Sequence, residues 1–450
     1  MTKLRNNILD ILLRIEKDEG YSNLLLNFEL EGKTYSEKDR ALITEIVYGT
    51  LQRKLTLDFF LDPFIQKKKK LDVWVRMLLR MSLYQMIYLD KIPDHAIIHE
   101  AVEIAKARGH KGIAGLVNGV LRNVQRKGRD HFVSLFSSIT DETERLAIRT
   151  SHPYWLVRRW VNAYGFSRAQ AMCEANLERK PISVRIQPLR ISRDEALETL
   201  QQEGLTVRPS PFSEQGIIVE KGNIISSSLF RQNYLTVQDQ SSMLVAEMLK
   251  PKPDSRVLDA CSAPGGKATH IAEKMKNRGR IDAYDLHQKK VKLIEEKAAA
   301  LELSIIHASK GDARNLKKMY APESFDYILV DAPCSGLGVI RGKPEIKYKK
   351  EERDIERLQE VQLAILDGVS PLLKSNGTII YSTCTVELKE NEEVVKRFLH
   401  THPDYALDAS FRDDLPPLLK NAPGLTEYGL QLFPQDYATD GFFLTRLKKV

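Results

Sequence analysis

Cysteine is scarce in this chain: Cys173, Cys261, Cys334 and Cys384 are the 4 in 450 residues. A set so small and so widely spaced excludes a disulfide framework and points to a reducing, cytoplasmic home. With no paired Cys-x-x-Cys, a structural zinc module is excluded as well, and no metal site is expected. Also missing is any apolar run long enough to cross a bilayer. The start, Met1-Thr2-Lys3-Leu4-Arg5, leads into a charged amphipathic stretch rather than a signal peptide. Acidic residues are the minority charge, 60 against 68 Lys and Arg, and the net charge of +8 favours an anionic partner, nucleic acid first. Hydrophobic content of 42% and charged content of 28% suit a globular chain of two or three domains.

Two of the four cysteines lie in short motifs, Asp331-Ala332-Pro333-Cys334 and Ser382-Thr383-Cys384. Each directly follows an apolar, β-branched run, Tyr327-Ile328-Leu329-Val330 and Thr378-Ile379-Ile380-Tyr381, of the kind that forms buried parallel strands. The carboxyl ends of such strands are where α/β folds place their chemistry. Two thiols and a carboxylate are therefore expected to meet in one crevice.

The pattern of the chain changes along its length. Leu4, Ile8, Ile11, Leu12 and Ile15 share one helix face, Ser36 and Asp39 are spaced as an N-cap pair, and Pro93 separates two further helical stretches. Residues 1–140 read as an all-α bundle and 141–180 as a helical linker. From Pro181 a strand-like alternation begins, and 181–237 reads as a small α+β, RRM-like module that helps to hold a substrate. Residues 238–450 alternate β and α as a doubly wound, Rossmann-like sheet.

Within that last region, Val257-Leu258-Asp259 leads into Ala260-Cys261-Ser262-Ala263-Pro264-Gly265-Gly266-Lys267 and then a helix. Gly265 and Gly266 let backbone approach a ligand, and the helix start offers free N–H groups. The turn is neither G-x-G-x-x-G nor a P-loop, so a nicotinamide or a nucleoside triphosphate fits poorly. Asp285, ending the next strand, suits the hydroxyls of a ribose, and Asp312, after the third, suits the exocyclic amine of adenine. This set, with Asp331, fits an adenosyl ligand without phosphates such as S-adenosylmethionine. Lys267 is suited to the amino acid carboxylate or to the substrate.

The segments Val257–Lys267, Asp331–Gly338 and Tyr381–Thr385, with Gln238–Ser242 and Asp440–Phe443, resemble the RNA 5-methylcytosine methyltransferases of the Sun family. The N-terminal half is similar to the antitermination factor NusB through Lys38–Leu42, Ile46–Thr50 and Leu116–Arg122. This layout is that of the bacterial members that act on small-subunit ribosomal RNA. The resemblance implies transfer of a methyl group from S-adenosylmethionine to C5 of one cytosine of 16S rRNA, free or partly assembled, by a monomer. It further implies that Cys384 is the nucleophile, that Cys334 resolves the adduct, and that Asp331 and Lys267 assist on the ring and the thiol. Arg185, Arg341, Lys343 and Lys347 are expected to contact RNA, with Lys349 and Lys350 beside them. The run Lys67–Lys70 is expected to be a solvated loop. Cys173 and Cys261 are expected to pack. Ala268 replaces the usual Thr after Gly-Gly-Lys, and Gln187, Lys290 and Ala300 also depart from the family pattern. Two other readings stay open at this point, a transfer RNA enzyme of the same chemistry and a non-catalytic RNA-binding or antitermination factor.

Overall fold

The computed structural model describes residues 2–17, 22–31, 35–65 and 71–450. The chain divides into two compact units, one made of Met1–Glu178 with Ile340–Lys350, the other of Arg179–Val339 with Glu351–Val450. The Lys67–Lys70 run lies outside the described residues.

The first unit is helical. Ser36 caps the helix Glu37–Gln52 by accepting from the Asp39 N–H (3.1 Å) and donating to its carboxylate (2.8 Å). Helix Val73–Tyr88 stops short of Pro93, which precedes helix Asp94–Arg108. Ile8, Leu12, Ile43, Val47, Leu78, Ile104 and Leu121 meet in one core. The segment 340–350, which the chain reaches just after the first cysteine motif, packs inside this unit. Its Glu345 carboxylate accepts from the N–H (2.9 Å) and hydroxyl (2.7 Å) of Ser22, at the start of helix Ser22–Glu31.

The second unit begins with four antiparallel strands, β1 Ile182–Ile186, β2 Thr206–Pro209, β3 Gly216–Lys221 and β4 Leu235–Val237, in the order β2-β3-β1-β4. A helix, Arg193–Gln202, connects β1 to β2, opened by a capping box of Ser192 and Glu195. The short helix Ser228–Arg231 precedes β4. The β-α-β-β-α-β order is ferredoxin-like.

A large mixed sheet follows. Its strands are β5 Arg256–Asp259, β6 Arg280–Asp285, β7 Ile306–Lys310, β8 Phe325–Asp331, β9 Leu373–Thr383, β10 Tyr405–Leu407, β11 Leu425–Thr426, β12 Gly429–Leu432 and β13 Phe442–Lys449. The order is β11-β12-β13-β9-β8-β5-β6-β7, with β10 paired to β13. Strands β5 to β9 are parallel, and β10 to β13 pair antiparallel. From β5 the chain winds outward through β6 and β7, then returns to the other side of β5 as β8. The β5/β8 boundary is therefore a topological switch point, where such sheets open a crevice at their carboxyl ends.

Side-chain alternation sorts this sheet into two faces. Val257, Leu329, Ile380 and Leu444 join one core with Ile271 of helix Gly266–Lys274 and Leu244 of helix Gln240–Leu249. Leu258, Ile328, Val330, Ile379 and Tyr381 join the other. Counting on by twos along each strand puts Asp259, Asp331, Ser382 and Cys384 on the first face. Among the described residues, no helix is long and apolar enough to cross a membrane.

Candidate active site

Strands β8 and β9 pair in register with Asp331 opposite Ser382, and each runs straight into a cysteine loop. Main-chain bonds join the loops: Ala332 N–H donates to Ser382 O (2.9 Å) and Gly338 N–H to Cys384 O (3.0 Å). Gly338 has to be a glycine for this approach, since a Cβ there would lie 1.9 Å from Gly441 O and 2.8 Å from Cys384 O. The Sγ atoms of Cys334 and Cys384 consequently stand 3.3 Å apart. The hydrogen bond to Cys384, burial and the nearby Glu390 together push the Cys334 thiol well above its ordinary range. Cys334 is therefore held in its protonated form.

Beside the thiols, Lys267 Nζ bonds Asp331 Oδ2 at 2.6 Å, and the Ser382 hydroxyl donates to Asp331 Oδ1 at 2.8 Å. Burial opposes the Lys267 charge, but Asp331 outweighs it, with Cys384 and Asp259 adding to the effect, so the pKa is raised. A fixed cation thus borders the Cys384 sulfur, and the ring of Phe442 lies 5.4 Å from Nζ.

The turn between β5 and helix Gly266–Lys274 forms the neighbouring wall. Gly265 takes φ +89°, a left-handed conformation that suits glycine, and precedes the first turn of the helix. A Cβ on Gly266 would meet only Lys297 Nζ, at 3.7 Å, so open space faces that backbone. Asp259 is fully buried, and neither of its oxygens nor the Ser262 hydroxyl makes a hydrogen bond of ordinary geometry, although the Ser262 hydroxyl and the Cys261 N–H lie close enough to favour its charge. Burial, with Asp331 nearby, pushes the Asp259 carboxyl up to about 7. Burial also raises the Cys261 thiol, reinforced by Asp259, Asp331, Asp285 and Asp312, which marks four carboxylates around one point. Four carboxylates near one thiol, with one lysine beside them, fit a cationic ligand that also carries a carboxylate.

Comparisons with known proteins identify the family. Residues 246–448 match the family model described as 16S rRNA methyltransferase RsmB/F, residues 152–226 a Methyltr_RsmF/B-like ferredoxin-like domain, and residues 2–126 the NusB family. A Bacillus subtilis (strain 168) protein named "Probable ribosomal RNA small subunit methyltransferase B" is 48% identical over 448 residues, 100% of this chain and 99% of that protein. The chain belongs to the RsmB/F family of 16S rRNA methyltransferases. A Cronobacter sakazakii "Ribosomal RNA small subunit methyltransferase B" is 34% identical over 97% of this chain and 96% of its own length. The crystal structure titled PH0851 shares the fold, with TM-score 0.84 and 24% identity, covering 100% of this chain and 99% of that one. A methyltransferase homolog from Pyrococcus horikoshii has TM-score 0.59 and 26% identity over 69% of this chain and 100% of its own.

In this RsmB/F chain the residues expected to be catalytic, Cys384, Cys334, Asp331 and Lys267, come together. Of the residues expected around the cofactor, Asp285 spends one oxygen on the His287 N–H (3.0 Å). Asp312 is gripped by Arg314, whose Nη2 bonds Oδ2 at 2.7 Å. The expected RNA contacts are corrected in three places. Arg185 is fully buried, bonding Glu273 through Nε (2.7 Å) and Nη2 (2.9 Å), Gly266 O (2.9 Å) and Thr269 Oγ1 (3.0 Å). Arg341 is buried and donates to Ala175 O (2.6 Å). Lys347 is fully buried, donates to Gln52 O (3.0 Å), and is pushed down by burial to about 7. In each case internal carbonyls or carboxylates hold the donors that RNA phosphates were expected to take. Lys343 and Lys350 are partly exposed and Lys349 is exposed.

Several site residues carry no signal that the motifs alone reveal. Asp259 reads as one more strand residue until its carboxyl is found fully buried and raised to about 7. Glu390 looks like a surface acid in the charged stretch Glu387–Glu393, yet it is fully buried beside the cysteine loops. Ser335 and Thr385 stand out only in that each directly follows a motif cysteine.

Proposed function

We propose that this protein methylates C5 of one cytosine in 16S rRNA, in the cytoplasm, through a transient bond between Cys384 and C6. The contact between the two sulfurs, beside a charged lysine and a carboxylate at the switch point, carries this reading. S-adenosylmethionine supplies the electrophilic methyl group. The turn Cys261–Lys267 and Asp331 would border it, with Asp285 at the ribose hydroxyls and Asp312 at the adenine amine once Arg314 yields. Its sulfonium and ammonium charges suit the ring of carboxylates, and its carboxylate suits the helix start.

The residues of the chain divide the work. C5 of cytosine is a weak nucleophile, and addition of the Cys384 thiolate to C6 moves the ring electrons onto C5. Lys267 offsets the negative charge during that addition, and Asp331 accepts from the exocyclic amine. After C5 carries the methyl group, loss of its proton returns an electron pair to the ring and expels Cys384 as the thiolate. Cys334 is suited to this second stage. While Cys384 is free, it holds the Cys334 thiol in the protonated form. Once Cys384 is a thioether, both of its contributions to the raised Cys334 pKa vanish, the Cys334 thiol can give its proton to solvent, and the resulting thiolate can take the proton from C5. The target base must be unpaired or flipped out, since a thiol cannot reach C6 within a stacked helix.

Bisulfite sequencing of 16S rRNA and transfer RNA from a deletion strain tests the substrate. One 16S cytosine should lose its protection, and methyl transfer by purified protein should restore it. Loss at a transfer RNA site with 16S rRNA unchanged would move the activity to the other substrate. No methyl transfer to either RNA would favour the non-catalytic reading.

A further inference from the structure

We propose that Glu390 is a positioning residue of the thiol pair: it ties the residue after Cys334 to the residue after Cys384 and thereby holds the two sulfurs in contact. The 3₁₀ turn Leu388–Glu390 brings its side chain beneath both loops. One oxygen, Oε1, accepts from the Ser335 N–H (2.8 Å) and from Gln362 Nε2 (3.0 Å), and the other accepts from the Ser335 hydroxyl. Gln362 Nε2 also donates to Pro333 O (3.0 Å), so the carboxylate governs the backbone on both sides of Cys334.

The link to the second cysteine passes through hydroxyls. Ser335 Oγ lies 2.7 Å from Thr385 Oγ1. A hydroxyl has one proton, and that of Ser335 goes to Glu390, so Thr385 is the donor to Ser335. The resulting relay runs from Thr385 through Ser335 to the carboxylate, one residue beyond each sulfur. The adjacent Asn391 completes the grip on the Cys384 side, donating to Thr385 O (3.2 Å) and accepting from Thr383 Oγ1 (2.5 Å). Every member is buried. A carboxylate in this setting is costly to bury unless its donors are in place, and here the donors are the two cysteine loops.

The inference rests on the proposed reaction only for its kinetic consequence; the geometric claim stands alone. Dithiol capture tests it. Phenylarsine oxide binds two neighbouring thiols with formation of two As–S bonds and release of water, and it needs neither RNA nor methyl donor. The full-length protein should be captured through Cys334 and Cys384. Glu390→Gln, which keeps the shape but places an amide N–H₂ among donors, should slow capture on the order of tenfold or more, because the sulfurs lose their enforced proximity. In the methylation assay it should lower kcat by roughly 10–100-fold, the cost of a misplacement of about 1 Å, with little change in KM for the methyl donor. Thr385→Val removes a single hydroxyl and should slow capture in the same direction, which decides the matter if Glu390→Gln folds poorly. Wild-type capture rates in both variants would overturn the proposal, as would lost turnover with capture intact. Slowed capture in variants of a protein that methylates no RNA would uphold the positioning role and sink the proposed reaction instead.

Discussion

At the scale of single residues, Asp259 is a fully buried carboxyl group at the end of β5. Burial outweighs the help its charge receives from Ser262, the Cys261 N–H and Lys267, and pushes the carboxyl up to about 7. The folded-state value lies above the ordinary one, so Asp259 favours the folded state at acid pH, and this contribution is lost as pH rises through about 7. Binding of a cationic ligand has the opposite dependence, because it requires the ionised form. Calorimetric titration with S-adenosylmethionine should show affinity falling as the pH drops from about 8 to about 6, by up to roughly tenfold per unit, with proton release on binding. Asp259→Asn should remove most of that dependence. An affinity that is flat with pH in the unsubstituted protein would contradict this role. None of it was legible in the sequence, where Asp259 is simply the third residue of Val257-Leu258-Asp259. The cysteine motifs differ because residue type, spacing and the preceding apolar run all point one way.

Among the elements, β1 and helix Gly266–Lys274 are joined by a buried ion pair, Arg185 with Glu273, both side chains at 0–1% exposure. Arg185 also reaches Gly266 O in the first turn of that helix, so the small module braces the backbone of the turn that follows β5. Removing one partner of such a pair leaves an uncompensated charge. Arg185→Met should therefore cost about 3–5 kcal/mol in denaturant unfolding, and adding Glu273→Leu should recover most of it. Unchanged stability with a selective loss of RNA affinity would return Arg185 to the RNA surface. Sequence gave no warning here, because an arginine in Ile182-Ser183-Val184-Arg185-Ile186 looks the same whether its partner is a phosphate or a glutamate on an element 88 residues away. The parallel strands were easier to read. Apolar runs such as Tyr327–Val330 are demanded by burial on both faces. The antiparallel additions β10, β11 and β12 are only two to four residues long and leave almost no periodic trace.

For the molecule as a whole, the segment 340–350 is the least foreseeable feature. Its basic residues Arg341, Lys343, Lys347, Lys349 and Lys350 suggest a phosphate-binding loop, but Arg341 and Lys347 are spent on carbonyls inside the helical unit. A charge pattern cannot distinguish the two uses, because an internal carbonyl and a phosphate oxygen satisfy the same donors. RNA binding cannot then draw on Arg341 or Lys347, and falls to the exposed basic residues of a chain whose net charge is +8. Affinity for 16S rRNA fragments should fall at least about tenfold between low and near-physiological salt, whereas affinity for S-adenosylmethionine should change little. Equal salt dependence for both ligands would contradict an electrostatic RNA surface. The most direct test of the central claim is a denaturing gel of the Cys334→Ala variant incubated with 16S rRNA and S-adenosylmethionine, followed by peptide mapping of any slow-migrating band. The expected result is a covalent protein–RNA species attached at Cys384 and absent from Cys384→Ala; no such species, or attachment at another residue, would refute the assignment of Cys384 as nucleophile and Cys334 as the thiol that releases it.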